Sequence, residues 1–244
     1  PEFINDNKLL NWNEAMKKLH SAKDAKNIHS KSFRRLVFDE LFAHFLLSSK
    51  IRTKIKKIKK SQKIFKDCKE NLIKDLNFKL TNDQELAIKI INKDLKSKSR
   101  MFRLLQGDVG SGKTIVSMIA AVNSINAGYQ ASFMVPTEIL AKQHFSFASK
   151  YLPKNIKVQM LTGKSKFTER KKILEDLKNG NIDFLIGTHS LFQKKVEYKK
   201  LGLIIIDEQH KFGVRQRKEF SEKGGNNCDV LVMSATPIPR TMMM

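Results

Sequence analysis

The sequence is poor in the residues that staple chains or break helices. Two cysteines, Cys68 and Cys228, occur in 244 residues. That is too few for a disulfide framework or a four-thiolate zinc site, and a pair of free thiols is expected. Glycine is absent from residues 1–100, and Pro1 is the single proline there, so little interrupts helices in that stretch. Acidic residues are scarce: 24 Asp and Glu stand against 47 Lys and Arg, a formal net charge of +23. Long apolar runs are also missing. His44 interrupts Leu41–Leu47, and Leu201–Ile206 is far shorter than the ~20 residues needed to span a bilayer. No charged-then-apolar leader opens the chain, so a cytoplasmic home is the expectation. What remains, 41% apolar and 29% charged residues, suits one globular domain with an appendage.

The basic excess points to a polyanionic partner, nucleic acid first. It has a second source: 38 Lys against 9 Arg, with 16 Asn, is also the mix that an AT-rich genome produces. Charge alone does not name the partner.

Residues 1–100 read as helix. Leu36, Val37, Leu41, Phe42, Phe45 and Leu46 recur at three- and four-residue spacing, and Ser32 is the expected cap. Lys50–Lys69 then sets ten basic residues around one acid, Asp67, with Ile51, Ile55, Ile58 and Phe65 interleaved. That pattern reads as a solvated basic amphipathic helix or as a direct phosphate contact.

From Met101 onward, short apolar runs alternate with amphipathic stretches. Strands are expected over 101–106, 130–135, 157–161, 182–187, 201–207 and 229–234, with helices over 113–127, 137–150 and 168–179. Strands alternating with helices imply crossover connections, hence an α/β fold with a parallel sheet flanked by helices. Ligands in such folds sit at the carboxyl ends of the strands. The chemistry-bearing residues all fall there.

Gly107-Asp108-Val109-Gly110-Ser111-Gly112-Lys113-Thr114 fits the phosphate-loop pattern G-x-x-x-x-G-K-[ST], after a strand and before a helix. Its glycines let backbone N–H groups wrap phosphates, and the helix N-terminus adds positive potential. Lys113 is placed to reach the β- and γ-phosphates of ATP, and Thr114 to hold Mg²⁺. Asp207 and Glu208 end the apolar strand that begins at Leu201. Asp207 is suited to hold Mg²⁺ through water, and Glu208 to orient and deprotonate an attacking water. Ser234-Ala235-Thr236 follows the last strand, where small hydroxyls can relay the nucleotide state. Together with Gly-Lys-Thr and Asp-Glu-x-His in this order, the triplet marks a superfamily 2 helicase or translocase.

The wording of these segments resembles the RecG family of bacterial DNA helicases. The matching stretches are LQGDVGSGKT (105–114), PTEILA (136–141), LTG (161–163), GTHSL (187–191), IDEQHKFGVRQ (206–216) and SATPIPRT (234–241). The transcription-repair coupling factor shares ATPIPRT but usually differs at Ser111, Glu138 and Gln209. Leu80-Thr81-x-x-Gln84 resembles the family's Gln motif, and the helix around Phe33–Leu47 its linker helices. The resemblance implies basic linker helices over 1–76 and a RecA-like ATP-binding lobe over 77–244. By the same resemblance Gln84 reads the adenine edge, and Thr137 and Thr188 contact DNA phosphates. His210 links the nucleotide site to a second motor lobe. Arg215, Arg217 and Arg240 are candidates for DNA or interlobe contacts. Position 211 is Lys where Arg is usual, and Ser234 stands where Thr is common. The implied activity is ATP hydrolysis coupled to branch migration and fork regression. The family's wedge domain, and its second lobe with an arginine finger, match nothing here. The chain is therefore expected to bind ATP, Mg²⁺ and DNA as a monomer but to be a poor motor alone, its alternative being a non-hydrolysing ATP- and DNA-binding remnant or a decayed gene fragment.

Overall fold

The computed structural model describes residues 9–20, 27–57, 60–68, 72, 78–208 and 223–235. The chain divides into two compact units, Pro1–Lys54 and Ile55–Met244.

The first unit is helical. Helix α1, Trp12–Leu19, starts at Asn11, whose side chain accepts the Asn13 N–H. Helix α2 spans Lys31–Lys57. Its first turn is capped by Ser30, whose Oγ accepts from the Phe33 N–H at 3.1 Å. The cap thus lies two residues before the expected Ser32, which is buried inside the helix. Arg35 pairs with Asp39 at 3.0 Å and donates to the Leu10 carbonyl at 2.8 Å.

The second unit is built on a six-stranded sheet. In chain order it contains α3 (Asn82–Leu95), β1 (Phe102–Gln106), α4 (Lys113–Asn126), β2 (Gln130–Met134), α5 (Glu138–Tyr151), β3 (Val158–Leu161), α6 (Phe167–Asn179), β4 (Phe184–Gly187), β5 (Leu201–Ile206) and β6 (Asp229–Ser234). The strand order is β1-β6-β5-β2-β4-β3, and every pairing is parallel. Each expected strand and helix after residue 100 is present, with ends moved by one or two residues.

Strands β2, β4, β5 and β6 are buried along their whole length, as a sheet covered on both faces requires. Alternation then sorts side chains between two cores. Phe133, Leu203, Ile205, Leu231 and Met233 pack with α3, α4 and α5. Met134, Ile204, Ile206, Val230 and Val232 pack with Ile173 and Leu177 of α6.

The basic stretch does not continue as a helix. Residues 60–68 lie without regular secondary structure, in a strap pinned to the second unit. The Lys60 N–H donates to the Lys98 carbonyl and the Cys68 N–H to Asn123 Oδ1. Phe65, Cys68 and Leu72 enter the core beside α3 and α4. Lys60 and Lys63 are fully buried on one carboxylate oxygen of Asp229, at 2.5 and 2.6 Å. The other oxygen accepts the Met101 N–H at 2.7 Å. These two lysines are neither solvated nor offered to phosphates.

Among the described residues no helix is long and apolar enough to cross a membrane.

Candidate functional site

Strand β1 ends at Gln106, α4 begins at Lys113, and the glycine-rich loop lies between them. The Gly107 N–H donates to the Ser234 carbonyl at 3.3 Å, which ties the loop to the end of β6. Gly110 and Gly112 have φ of +81° and +79°, a region that side chains with a Cβ rarely adopt. A Cβ on Gly112 would also collide with the Gln84 amide. Gly112 caps α4 with no side-chain hydrogen bond, and no acidic residue lies in the first turn. The helix therefore presents free N–H groups and the positive end of its dipole, an anion site.

Lys113 Nζ donates to the carbonyls of Gly107 and Asp108, at 2.7 Å each. It thereby closes the loop on itself with the charge that a phosphate would otherwise attract. Gln84 is engaged at both ends. Its amide nitrogen donates to the Ser111 carbonyl at 2.9 Å, and its oxygen accepts the Thr81 N–H at 3.0 Å. The second bond is half of a capping box with Thr81 at the start of α3. In this arrangement the side chain holds the loop, and reading a base edge requires one of these bonds to open.

Strands β5, β6 and β1 are parallel neighbours, so Asp207, Ala235 and the glycine loop emerge at the same end of the sheet. Asp207 is 9% exposed. Its N–H donates to the Met134 carbonyl at 2.8 Å, and its Oδ1 accepts the Glu208 N–H at 3.0 Å. Glu208 has φ of +48°, and its Oε1 accepts the Ala235 N–H at 3.3 Å. The Asp-Glu pair is thus linked directly to Ala235; Thr236, the last residue of the Ser-Ala-Thr triplet, lies outside the described residues.

The donor set fits a nucleotide and a hard cation. A lysine, a free helix N-terminus and left-handed glycines suit phosphates. The Thr114 hydroxyl and Asp207 carboxylate are oxygen ligands of the kind Mg²⁺ takes, one or two from protein and the rest from phosphate and water.

The remaining expected positions are placed unevenly. Thr137 caps α5, its Oγ1 accepting from the Leu140 N–H at 3.3 Å. The hydroxyl of Thr188, after β4, is buried with no hydrogen-bond partner among the described residues. His210, Arg215, Arg217 and Arg240 lie outside the described residues.

One neighbour of the site was not expected. His144 lies on the buried face of α5 with Ala141 and Ala148. Its Nε2 is 3.7 Å from Asp207 Oδ2. The signal available in the sequence was its period: 141, 144 and 148 form one helical stripe, and an imidazole there faces the sheet.

The comparisons with known proteins agree with this architecture. The DEAD/DEAH box helicase family model matches residues 81–244. An ATP-dependent DNA helicase RecG of Streptococcus pneumoniae is 44% identical over 238 residues, covering 96% of this chain and 35% of the relative. One of Thermotoga maritima is 46% identical over 246 residues, covering 99% and 31%. A solved structure of RecG bound to a three-way DNA junction superposes with a TM-score of 0.81 at 42% identity, over 99% of this chain and 32% of that one. The chain thus spans about a third of the length of these relatives. With the glycine loop, the Asp-Glu pair and a family match that begins at the Thr81 cap of α3, this chain belongs to the DEAD/DEAH box helicase family, and it resembles RecG over nearly its whole length.

Proposed function

We propose that this chain is the ATP-binding lobe of a RecG-type DNA helicase, acting on branched DNA. One observation carries the proposal: an uncapped helix N-terminus with Lys113 at its start stands at the same sheet end as the Asp207–Glu208 pair. Bound Mg-ATP supplies the transferable phosphoryl group and the charge that offsets its negative oxygens. The residues of the chain do the rest. Lys113 leaves the Gly107 and Asp108 carbonyls for the β- and γ-phosphates. Thr114 and Asp207 hold the cation. The loop backbone from Gly107 to Gly112 would wrap the phosphates, and Gln84 would release Ser111 or Thr81 to meet the adenine edge. Glu208 leaves the Ala235 N–H, orients the attacking water and takes its proton on a carboxylate oxygen.

Thr137, Thr188, Arg215 and Arg240 are proposed to meet DNA. Thr188 needs a local shift to do so, because its hydroxyl is buried. His210 passes the nucleotide state to a second motor lobe, in the same protein or a separate one. Motors of this kind work by closing two lobes on ATP, and an arginine finger is worth roughly 10³–10⁵ in rate in other phosphoryl-transfer enzymes. The 244-residue chain alone is therefore a nucleotide- and DNA-binding unit with slow turnover.

The test is steady-state ATP hydrolysis with and without branched DNA, together with forked-duplex separation. Slow turnover, lost in Lys113→Ala and Glu208→Gln, with no strand separation, is the expected result. Strand separation by this chain alone would contradict the proposed need for a second lobe.

A further inference from the structure

His144 Nε2 is buried and has no hydrogen-bond partner among the described residues. The residue is 9% exposed, and its ring lies 4.7 Å from the Phe133 ring, tilted by 32°. An unmade bond at a buried donor costs roughly 1–3 kcal/mol. The stripe that carries it is otherwise alanine, at 141 and 148, and an apolar side chain of similar size would meet Phe133 without that cost. Among the described residues the polar atom has one charged neighbour in reach, Asp207 Oδ2 at 3.7 Å. That separation is a few tenths of an ångström beyond a hydrogen bond. A small rotation of the Asp207 carboxylate closes it, while Oδ1 stays with the Glu208 N–H.

We propose that His144 is a positioning residue for the Asp207 carboxylate: Nε2–H donates to Oδ2 when Asp207 turns to hold the divalent cation. The proposal rests on the reading of Asp207 as the cation-holding acid. A carboxylate offers about four lone-pair sites. With Glu208 N–H on one oxygen and His144 on the other, its orientation is fixed and a lone pair remains for the cation. Outer partners of this kind typically change metal affinity by 10–100-fold when removed. The packing of the His144 ring on Phe133 holds the donor in place.

The test reads cation binding rather than turnover. The affinity of the chain for a fluorescent ADP is measured in EDTA and over a series of Mg²⁺ concentrations. His144→Phe keeps the ring packing and removes the donor. It is expected to leave the EDTA affinity unchanged and to raise the half-saturating Mg²⁺ about tenfold. His144→Gln, whose amide N–H extends about as far as Nε2, is expected to stay within about twofold of the original chain. His144→Asn, too short to reach Oδ2, is expected to behave like the Phe variant and serves if that variant does not fold. Asp207→Asn is expected to lose the Mg²⁺ dependence. A Phe or Asn variant with the original Mg²⁺ half-point, beside an Asp207→Asn variant that has lost the dependence, overturns the role of His144 alone. An equal loss of affinity in EDTA makes His144 merely structural and also overturns it. An Asp207→Asn variant that keeps the dependence overturns the reading of Asp207 itself.

Discussion

Glu208 has the single positive φ among the described non-glycine residues, +48°. Such backbone costs of order 1–3 kcal/mol and persists where the surroundings over-determine it. Here the surroundings are the Asp207 carboxylate on the Glu208 N–H and the Ala235 N–H on its side chain. The strain therefore falls on the residue proposed to handle the attacking water. The two cysteines are the opposite case, buried side chains with no chemistry to do. Burial pushes the thiols of both Cys68 and Cys228 up to about 12, from the usual 9.0. Both are thus expected to be silent to a thiol reagent in the folded chain at pH 7 and to react on unfolding. The same shifts carry a pH dependence. Between 9 and about 12 the unfolded chain has released thiol protons that the folded chain keeps. The unfolded state binds fewer protons in that window, so this contribution to stability is complete below pH 9 and falls as pH rises. Urea midpoints measured against Cys68→Ala/Cys228→Ala are expected to show a steeper alkaline decline in the original chain. Parallel curves would place the thiols nearer solvent than the structure does.

At the scale of elements, the sheet was legible because its strands announce themselves locally. Leu201–Ile206 and Asp229–Ser234 are short apolar runs, and Gly128 and Gly180 mark helix ends with φ of +79° and +82°. The glycine loop was legible for the same reason, since Gly107, Gly112, Lys113 and Thr114, four of its eight residues, are diagnostic by type and order. The strap over 60–68 was not. Its lysines look like surface residues until Asp229 is placed beside them, 169 residues from Lys60 and 166 from Lys63. Burial pulls the Lys60 ammonium below its usual range, and Asp229 opposes that shift. All three hydrogens of Lys60 are used, on Asp229 and on the carbonyls of Asp94 and Leu95 that end α3. The strap thus caps a helix as well as closing a charge cluster. Asp229→Ala leaves two ammonium groups buried without their carboxylate. It is expected to cost about 3–5 kcal/mol in urea unfolding, whereas Lys63→Met, which leaves the Lys60 pair intact, is expected to cost much less. A near-neutral Asp229→Ala would mean the lysines reach water instead. His144 escaped reading for a related reason: a histidine in a helical stripe announces burial, and its charged neighbour Asp207 follows a strand and lies 63 positions away.

At the scale of the whole chain, the formal charge of +23 has more than one destination. Lys60 and Lys63 neutralise an interior carboxylate, Lys113 closes the glycine loop, and Lys178 pairs with Glu197 on the surface at 2.8 Å. Net charge therefore overstates what is left for a polyanion. What the architecture does concentrate is one end of a parallel sheet, where the glycine loop, the Asp-Glu pair, the Ser-Ala segment and the Thr137 cap of α5 all emerge. The chain covers about a third of its relatives, and nucleotide binding is the proposed activity that needs no other part of them. The most direct measurement is calorimetric titration of Mg-ATP into the 244-residue chain and into Lys113→Ala. A charge-assisted hydrogen bond is worth about 1.5–3 kcal/mol, and each 1.4 kcal/mol is tenfold in affinity. Saturable one-to-one binding that weakens by at least about tenfold in Lys113→Ala is the expected result. Binding of equal strength in the two proteins would contradict the assignment of the glycine loop as the phosphate site.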